Sequence, residues 1–216
     1  MPLGFIGCLR EQLRAYRKYD PATNSTLEIL LLYPGVKAWF FHRLSHAFYR
    51  ARIPLLPRFF SETCRFLTGI DIHPGAQIGL RVIMDHGMGI VIGETAIIGN
   101  DVLLYQGVTL GGTSLERSKR HPTVEDHCVI GSGAKILGNI TIGKGSRIGA
   151  NSVVVRDVPA GCTVVGIPGK VVSTAGVVTG EELEHGRLPE DPIQQKCLDL
   201  ESRIAALETA IARKAT

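Results

Sequence analysis

Asp85-His86 is the pairing in this 216-residue chain best suited to chemistry, and Gly87 and Gly89 leave room beside the ring. A neutral imidazole can take the proton of a hydroxyl, and a carboxylate that fixes its tautomer makes it a better base. Asp71 stands fourteen residues before Asp85, an offset that brings it near His86 only if the chain returns on itself about every eighteen residues. A second concentration of reactive types is L-G-G-T-S-L-E-R-S-K-R-H-P at 110–122. Gly111-Gly112 admits a ligand close to the backbone, while Arg117, Lys119 and Arg120 offer positive charge to a phosphate or a carboxylate. His121 adds an imidazole to that charge. By residue type alone, a solvated corner histidine and a basic, flexible surface loop account for the same residues, so position has to decide.

The elements that must position them follow from a period of six. Val124, Ile130, Ile136, Ile142, Ile148 and Val154 are all aliphatic, and the same beat runs through Ile72, Ile78, Met84 and Ile90. It then slips by two residues and resumes at Ile92, Ile98, Leu104 and Leu110. Six matches neither a helix nor an ordinary strand ladder; it marks a hexapeptide solenoid of short strands and turns. Ala76, Ala96, Val102, Cys128, Ala134, Ser146 and Ser152 stand two positions before an aliphatic residue and point the same way along a strand, so both sets line the interior. The slip falls at Asp85-His86. The one long interruption is Gly111 to Pro122, and long loops leaving a rigid scaffold often carry function.

Residues 1–66 read as an N-terminal helical domain broken at Asp20-Pro21, Tyr33-Pro34-Gly35 and Pro54/Pro57. Within it Lys37 to Arg52 is amphipathic, with Trp39, Phe40, Leu44, Ala47 and Phe48 expected inside and Arg43, Arg50 and Arg52 in solvent. A solvated helical face explains this basic region, with a membrane-surface helix as its alternative. The solenoid spans 67–173. Residues 174–216 read as a linker followed by a helix, whose seam Ile193, Cys197, Leu200, Ile204, Leu207, Ile211 alternates spacings of four and three.

A net charge of +4 without basic runs interleaved with aromatics suits an anionic small ligand and argues against nucleic acid. Cys8, Cys64, Cys128, Cys162 and Cys197 form no C-x-x-C pair, which argues against a zinc ribbon or disulfide framework and for a reducing compartment. The opening M-P-L-G-F-I-G lacks the basic segment and apolar run of a signal peptide, and Ile29 to Val36 is too short to span a bilayer. A cytoplasmic location is expected.

D-I-H-P-G-A-Q-I-G at 71–79, D-H-G-M-G-I-V-I-G-E-T-A-I-I-G at 85–99, Q-G-V-T-L-G-G-T at 106–113, R-H-P at 120–122 and I-G-S-G-A-K-I-L-G-N-I-T-I-G at 130–143 together resemble the serine O-acetyltransferases of bacterial and plant cysteine synthesis. The resemblance covers most of residues 15–170, Asp20-Pro21-Ala22 included. It implies a left-handed parallel β-helix that forms a homotrimer with active sites between subunits, and transfer of acetyl from acetyl-CoA to the L-serine hydroxyl. By the same resemblance His86 is the base and Asp71 orients it. Asp20 and Asp85 hold the substrate ammonium, Arg120 holds its carboxylate, and His121 orients the amino acid or stabilises the oxyanion. Coenzyme A runs past Gly111, Gly112, Gly131, Ser132 and Lys135. L-cysteine, with the same ammonium and carboxylate, is expected as feedback inhibitor, and no metal is expected. Three features depart from the family pattern. The helical region is short beside the longer members that use theirs to form hexamers; Met88 replaces a small polar residue; and the end Lys214-Ala215-Thr216 lacks the terminal isoleucine of members that dock into cysteine synthase.

Two other enzymatic readings fit parts of the pattern. A γ-class carbonic anhydrase would use His86, His121 and His127 as zinc ligands, but leaves Asp85, Arg120 and G-G-T unexplained. Another hexapeptide O-acetyltransferase, acting on a sugar or antibiotic hydroxyl, would share the base and the coenzyme groove but not the amino-acid clamp. His42 and His46 stand at i and i+4 without the glutamate of H-E-x-x-H, which favours an ordinary helix surface. A purely structural solenoid predicts a featureless coil.

Overall fold

The computed structural model describes residues 4–23, 25–173 and 192–214. Four helices, α1 (Phe5–Tyr19), α2 (Thr26–Leu32), α3 (Pro34–Arg50) and α4 (Leu56–Thr68), precede fifteen short strands, β1 to β15, and a final helix α5 (Pro192–Lys214). The strands build a three-sided parallel β-helix. One side, sheet A, stacks β1 (Asp71–Ile72), β4 (Val91–Ile92), β7 (Thr109–Gly111), β10 (Lys135–Leu137) and β13 (Val153–Val154). Sheet B stacks β2 (Gln77–Ile78), β5 (Ile97–Ile98), β8 (Thr123–Val124) and β11 (Thr141–Ile142). Sheet C stacks β3 (Ile83–Asp85), β6 (Leu103–Tyr105), β9 (Val129–Ile130), β12 (Arg147–Ile148) and β14 (Thr163–Val165), and β15 (Lys170–Ser173) closes it as its antiparallel member.

The hexad residues form three interior columns. Ile72, Ile92, Leu110, Ile136 and Val154 pair in register up sheet A. Ile78, Ile98, Val124 and Ile142 do so in sheet B, and Met84, Leu104, Ile130, Ile148 and Val164 in sheet C. All are buried, as are Ala76, Ala96, Val102, Cys128, Ala134, Ser146 and Ser152 between them. Each aliphatic side chain so removed from water contributes roughly 1.5–3 kcal/mol before entropy is charged. At the corner between sheets C and A the chain turns through left-handed backbone at Gly89, Gly107, Gly133 and Asn151, a conformation glycine adopts without steric cost.

The register also measures the two interruptions. Val91 pairs with Thr109 and Lys135 with Val153, eighteen residues apart, but Asp71 pairs with Val91 after twenty and Thr109 with Lys135 after twenty-six. The first excess is the two-residue bulge at His86-Gly87; the second is the loop between Gly111 and Pro122.

The helices close one end and one side of the coil. Ala38 and Cys64 join the interior cluster, while Tyr16, Ile29 and Val36 cover the outward residues Ile83 and Leu103 of sheet C. Gln12 donates to the Val82 carbonyl at 2.5 Å, and the Tyr16 hydroxyl accepts from the Met84 amide at 2.9 Å. The face that α3 buries differs from the expected one. Val36, Ala38, Trp39, His42 and Ser45 are inside, whereas Phe40 and Ala47 are exposed and Leu44 and Phe48 are half-buried. The helix lies close against the solenoid, so small and hydrogen-bonding residues take the contact while Phe40 packs edge-on against Phe5. Arg43, expected in solvent, donates to the Ile78 and Gly79 carbonyls at 3.3 and 3.4 Å and lies over the Trp39 ring. His42 and His46, expected on an ordinary surface, are likewise docking groups: His42 Nε2 donates to Ala76 O at 3.1 Å, and His46 Nδ1 to Pro74 O at 2.8 Å. The linker expected from residue 174 lies, through residue 191, outside the described residues.

Burial, with His46 beside it, pushes His42 down to about 3. The unfolded chain takes up this proton near pH 6.5 and the folded chain does not, so the stabilisation is complete above pH 6.5 and lost as pH falls toward 3. His42→Gln, which keeps a donor for Ala76 but cannot titrate, should reduce the stability loss between pH 7 and pH 5 by about 2 kcal/mol. Urea unfolding of both proteins at the two pH values checks this; identical losses would exclude His42 as the group responsible.

Candidate active site

The bulge at the C-to-A corner lifts His86 outward. Its backbone is left-handed (φ 58°), and its side chain is 74% exposed. Such a conformation is uncommon for a residue with a Cβ, and it aims the ring away from the coil. Asp85, the last residue of β3, is held on both oxygens: the His86 amide donates to Oδ1 at 2.9 Å and the Tyr19 hydroxyl to Oδ2 at 3.0 Å. The His86 Nε2 lies 3.9 Å from that same Oδ2. Tyr19 in turn meets the Tyr105 hydroxyl at 2.9 Å, and Tyr105 is the register partner of Asp85 one coil on. Burial and then the Asp85 charge raise the Tyr19 phenol above its ordinary range, so it stays a neutral donor.

Asp20 joins this corner from the C-terminal end of α1. Its Oδ1 accepts the Ala22 amide at 2.8 Å and its Oδ2 the Tyr33 hydroxyl at 2.5 Å. Burial and this carboxylate push Tyr33 up to about 12. The Asp20 and Asp85 charges both act on Tyr19 and Tyr33, so two carboxylates separated by 65 positions face one cluster of phenols beside His86. Asp71 opens β1 at the same corner, and its amide donates to Ile90 O at 2.9 Å. Among the described residues no hydrogen bond joins its carboxylate to His86. Met88, the departure noted in the sequence, is exposed, and its sulfur lies over Gly69.

The second group is at the other edge of sheet A, where the long loop returns. The Thr95 hydroxyl accepts the amides of Arg120 and His121 at 3.0 and 3.1 Å and lies 2.9 Å from His121 Nδ1. The Thr95 amide also donates to Nδ1, at 3.2 Å. A nitrogen that accepts an amide N–H carries no proton, so His121 is the Nε2–H tautomer. Burial, and then Arg120, lowers its pKa, which keeps it neutral. The ring lies flat over Gly93, where a Cβ would fall 2.0 Å from Cδ2, and its Nε2 faces Gly112. Arg120 donates to Glu94 at 2.5 Å and to Glu116 O at 3.2 Å, and this pairing holds the Glu94 carboxyl below its usual range. Lys119 is not the free charge the sequence implies. Its ammonium donates to the carbonyls of Thr95, His121 and Pro122 and braces the root of the loop.

The structure therefore gathers the named residues in two places. Asp20, Asp71, Asp85 and His86 share the C-to-A corner; Arg120 and His121 share the A-to-B corner with Gly111 and Gly112. Between the corners Lys135 stands on the outer face of sheet A, its ammonium on the Gly107 carbonyl, with Gly131 and Ser132 at the C-to-A corner above. One side of the solenoid, about 13 Å for four residues of strand, separates the two groups within a chain. His127 is on the third corner, with its amide on Asn100 O, so His86, His121 and His127 occupy three different corners. Among the described residues no group of three His, Cys, Asp or Glu is placed to hold a metal. Tyr19, Tyr33, Tyr105, Glu94 and Thr95 were not singled out from the sequence. Only the neighbours of Glu94 and Thr95 in the G-E-T run hinted at them.

A three-sided hexapeptide coil with an exposed imidazole at a bulged corner is the architecture of a hexapeptide-repeat transferase, and residues 121–156 match the family model described as bacterial transferase hexapeptide (six repeats). Along the whole chain the likeness is narrower. The serine acetyltransferase of Bacillus licheniformis is 49% identical over 210 residues, covering 97% of each chain. The crystal structure of Neisseria gonorrhoeae serine acetyltransferase in complex with serine superposes with a TM-score of 0.74 at 43% identity, over 77% of this chain and 68% of that one. A serine acetyltransferase in complex with CoA gives a TM-score of 0.73 at 42% identity, over 77% and 69%. The chain belongs to the serine acetyltransferase family and has its left-handed parallel β-helix.

The Thr95 contacts generate a spectroscopic test. At pH 7 the ¹⁵N shifts of His121 should report a neutral ring with its proton on Nε2, titrating below the ordinary histidine value near 6.5. Thr95→Val removes the hydroxyl and should weaken that tautomer preference; a proton found on Nδ1 in the parent protein would refute the assignment.

Proposed function

We propose that this chain transfers the acetyl group of acetyl-CoA to the hydroxyl of L-serine, at a site completed by two copies of the chain. The observation that carries this reading is the division of charge between the corners. One presents two oriented carboxylates and an exposed imidazole; the other presents a guanidinium and a neutral N–H donor beside two glycines. Each is half of a site for a zwitterion with a hydroxyl, and a molecule the size of serine does not bridge both within one chain. The two patches differ, so the contact between copies is heterologous and must close into a ring; a three-sided coil favours three copies.

In that site the ammonium of serine lies against Asp85 and Asp20, each oriented by a phenol. The carboxylate lies against Arg120 of the neighbouring copy. His86 takes the hydroxyl proton as the oxygen attacks the thioester carbonyl, with Asp71 orienting the imidazolium that forms. The charge developing on the carbonyl oxygen is met by the Nε2–H of His121 of the neighbouring copy, already in the donor tautomer and needing no reorganisation. Collapse expels the coenzyme thiolate, which takes the proton from His86 and leaves as the thiol with O-acetylserine. Gly111, Gly112, Gly131, Ser132 and Lys135 border sheet A, where the pantetheine arm would run. L-cysteine offers the same two charges and should compete for the same clamp. The scattered cysteines accord with a cytoplasmic enzyme.

Thiol release from acetyl-CoA should be rapid with serine and slow with threonine, homoserine and a sugar panel; turnover of a sugar without serine would transfer the reading to the other O-acetyltransferases. His86→Ala should cost ~10²–10⁴ in kcat with coenzyme binding retained, and near-parental kcat would exclude it as base. Arg120→Lys loses paired hydrogen bonds to a carboxylate. It should raise the serine KM and weaken cysteine inhibition together, with the acetyl-CoA KM unchanged. Equal rises in both KM values would assign Arg120 to the coenzyme instead.

A further inference from the structure

We propose that α5 packs against the α5 helices of two further copies of this chain, parallel and in register, as a three-stranded coiled coil. The proposal rests on the three-fold assembly inferred above. Its first support is an apolar seam that no described residue of the chain covers: Leu200, Ile204 and Leu207 are 50, 55 and 64% exposed, and Cys197 is exposed with them. In heptad register Cys197, Ile204 and Ile211 take position a, and Ile193, Leu200 and Leu207 take position d.

Charge names the occupant. Lys196 and Arg203 fall at position g, and Glu201 and Glu208 at position e. In a parallel, in-register coil each g residue faces the e residue of the next heptad on its neighbour, so Lys196 meets Glu201 of the partner subunit. An antiparallel pair would set g against g and e against e, placing like charges together. Among the described residues of one chain Arg203 reaches only Asp199, at 3.8 Å with both side chains exposed, a contact too weak to compete. The pattern therefore selects a second copy related by an axis along the helix.

Ile at a with Leu at d leans toward two strands, but two-stranded coils cannot pair off the three helices of one ring. Covalent attachment to one assembly gives the third helix an effective concentration in the millimolar range, which outweighs a lean of that size in so short a seam. In the resulting bundle the three Cys197 thiols face the common axis.

The test uses the full-length protein. Mild oxidation with diamide should join two of three chains through Cys197, giving a disulfide-linked dimer and a free monomer in 2:1 mass ratio on a non-reducing gel, and Cys197→Ser should abolish it. Lys196→Glu and Glu201→Lys should each reduce the yield roughly threefold or more, and the double variant should restore it. Light scattering separates this proposal from the assembly it rests on. A mass of three chains without the link, or without rescue, overturns the coiled coil and leaves the ring. A mass of six with the link overturns the three-stranded form in favour of a coil joining two rings. A mass of one or two chains overturns both readings.

Discussion

Register is the constraint on which the rest depends. A strand in this coil pairs with the strand eighteen residues on, and each column of aliphatic side chains stays inside only if that count is kept. The chain exceeds it twice, by two residues at His86-Gly87 and by eight between Thr109 and Lys135, and falls short once, where Arg147 pairs with Thr163 after sixteen; after both excesses it regains the columns at once: Ile92 still stacks on Ile72, and Ile136 on Leu110. The extra residues have nowhere to go but outward. A close-packed interior admits no other solution, and so the insertions become the corners at which the candidate site residues gather.

Once outside, those residues need other means of being held. At the first corner the means are phenols. Tyr19, Tyr33 and Tyr105 converge from α1, the α2–α3 junction and the next coil to fix two carboxylates. At the second they are a hydroxyl and an ammonium. Thr95 gathers both residues of the Arg120-His121 pair, and Lys119 ties the loop root to three carbonyls. The docking of α1 and α3 through Gln12, Tyr16, His42, Arg43 and His46 is thus more than a cap on the solenoid. It sets Asp20 beside Asp85.

The division of the candidate site between corners gives the proposed assembly a chemical reason. In the proposed reaction an imidazole exposed in the single chain and a donor across one side of the coil would each be idle alone. Bringing them together between copies would enclose the reacting hydroxyl and thioester, where oriented dipoles act most strongly because water is excluded.

How much was legible in the sequence follows from which interactions are periodic. The six-residue beat determined the coil, its interior and the location of both interruptions, because a strand shows alternate residues to a core whatever lies around it. The Asp-His and Arg-His pairs were legible as chemical types, and their motif context as a family likeness. The sequence did not reveal the buried face of α3, since a helix packed closely on strands prefers Ala38, His42 and Ser45 at the contact over Phe40 and Ala47. Nor did it reveal the use of Lys119 as a brace or the tyrosines behind Asp85, Tyr19 and Tyr105, which come from 66 and 20 positions away. Only the tertiary structure decided these, because they depend on the distances at which helices and coils are stacked, and those distances are a property of the packed whole.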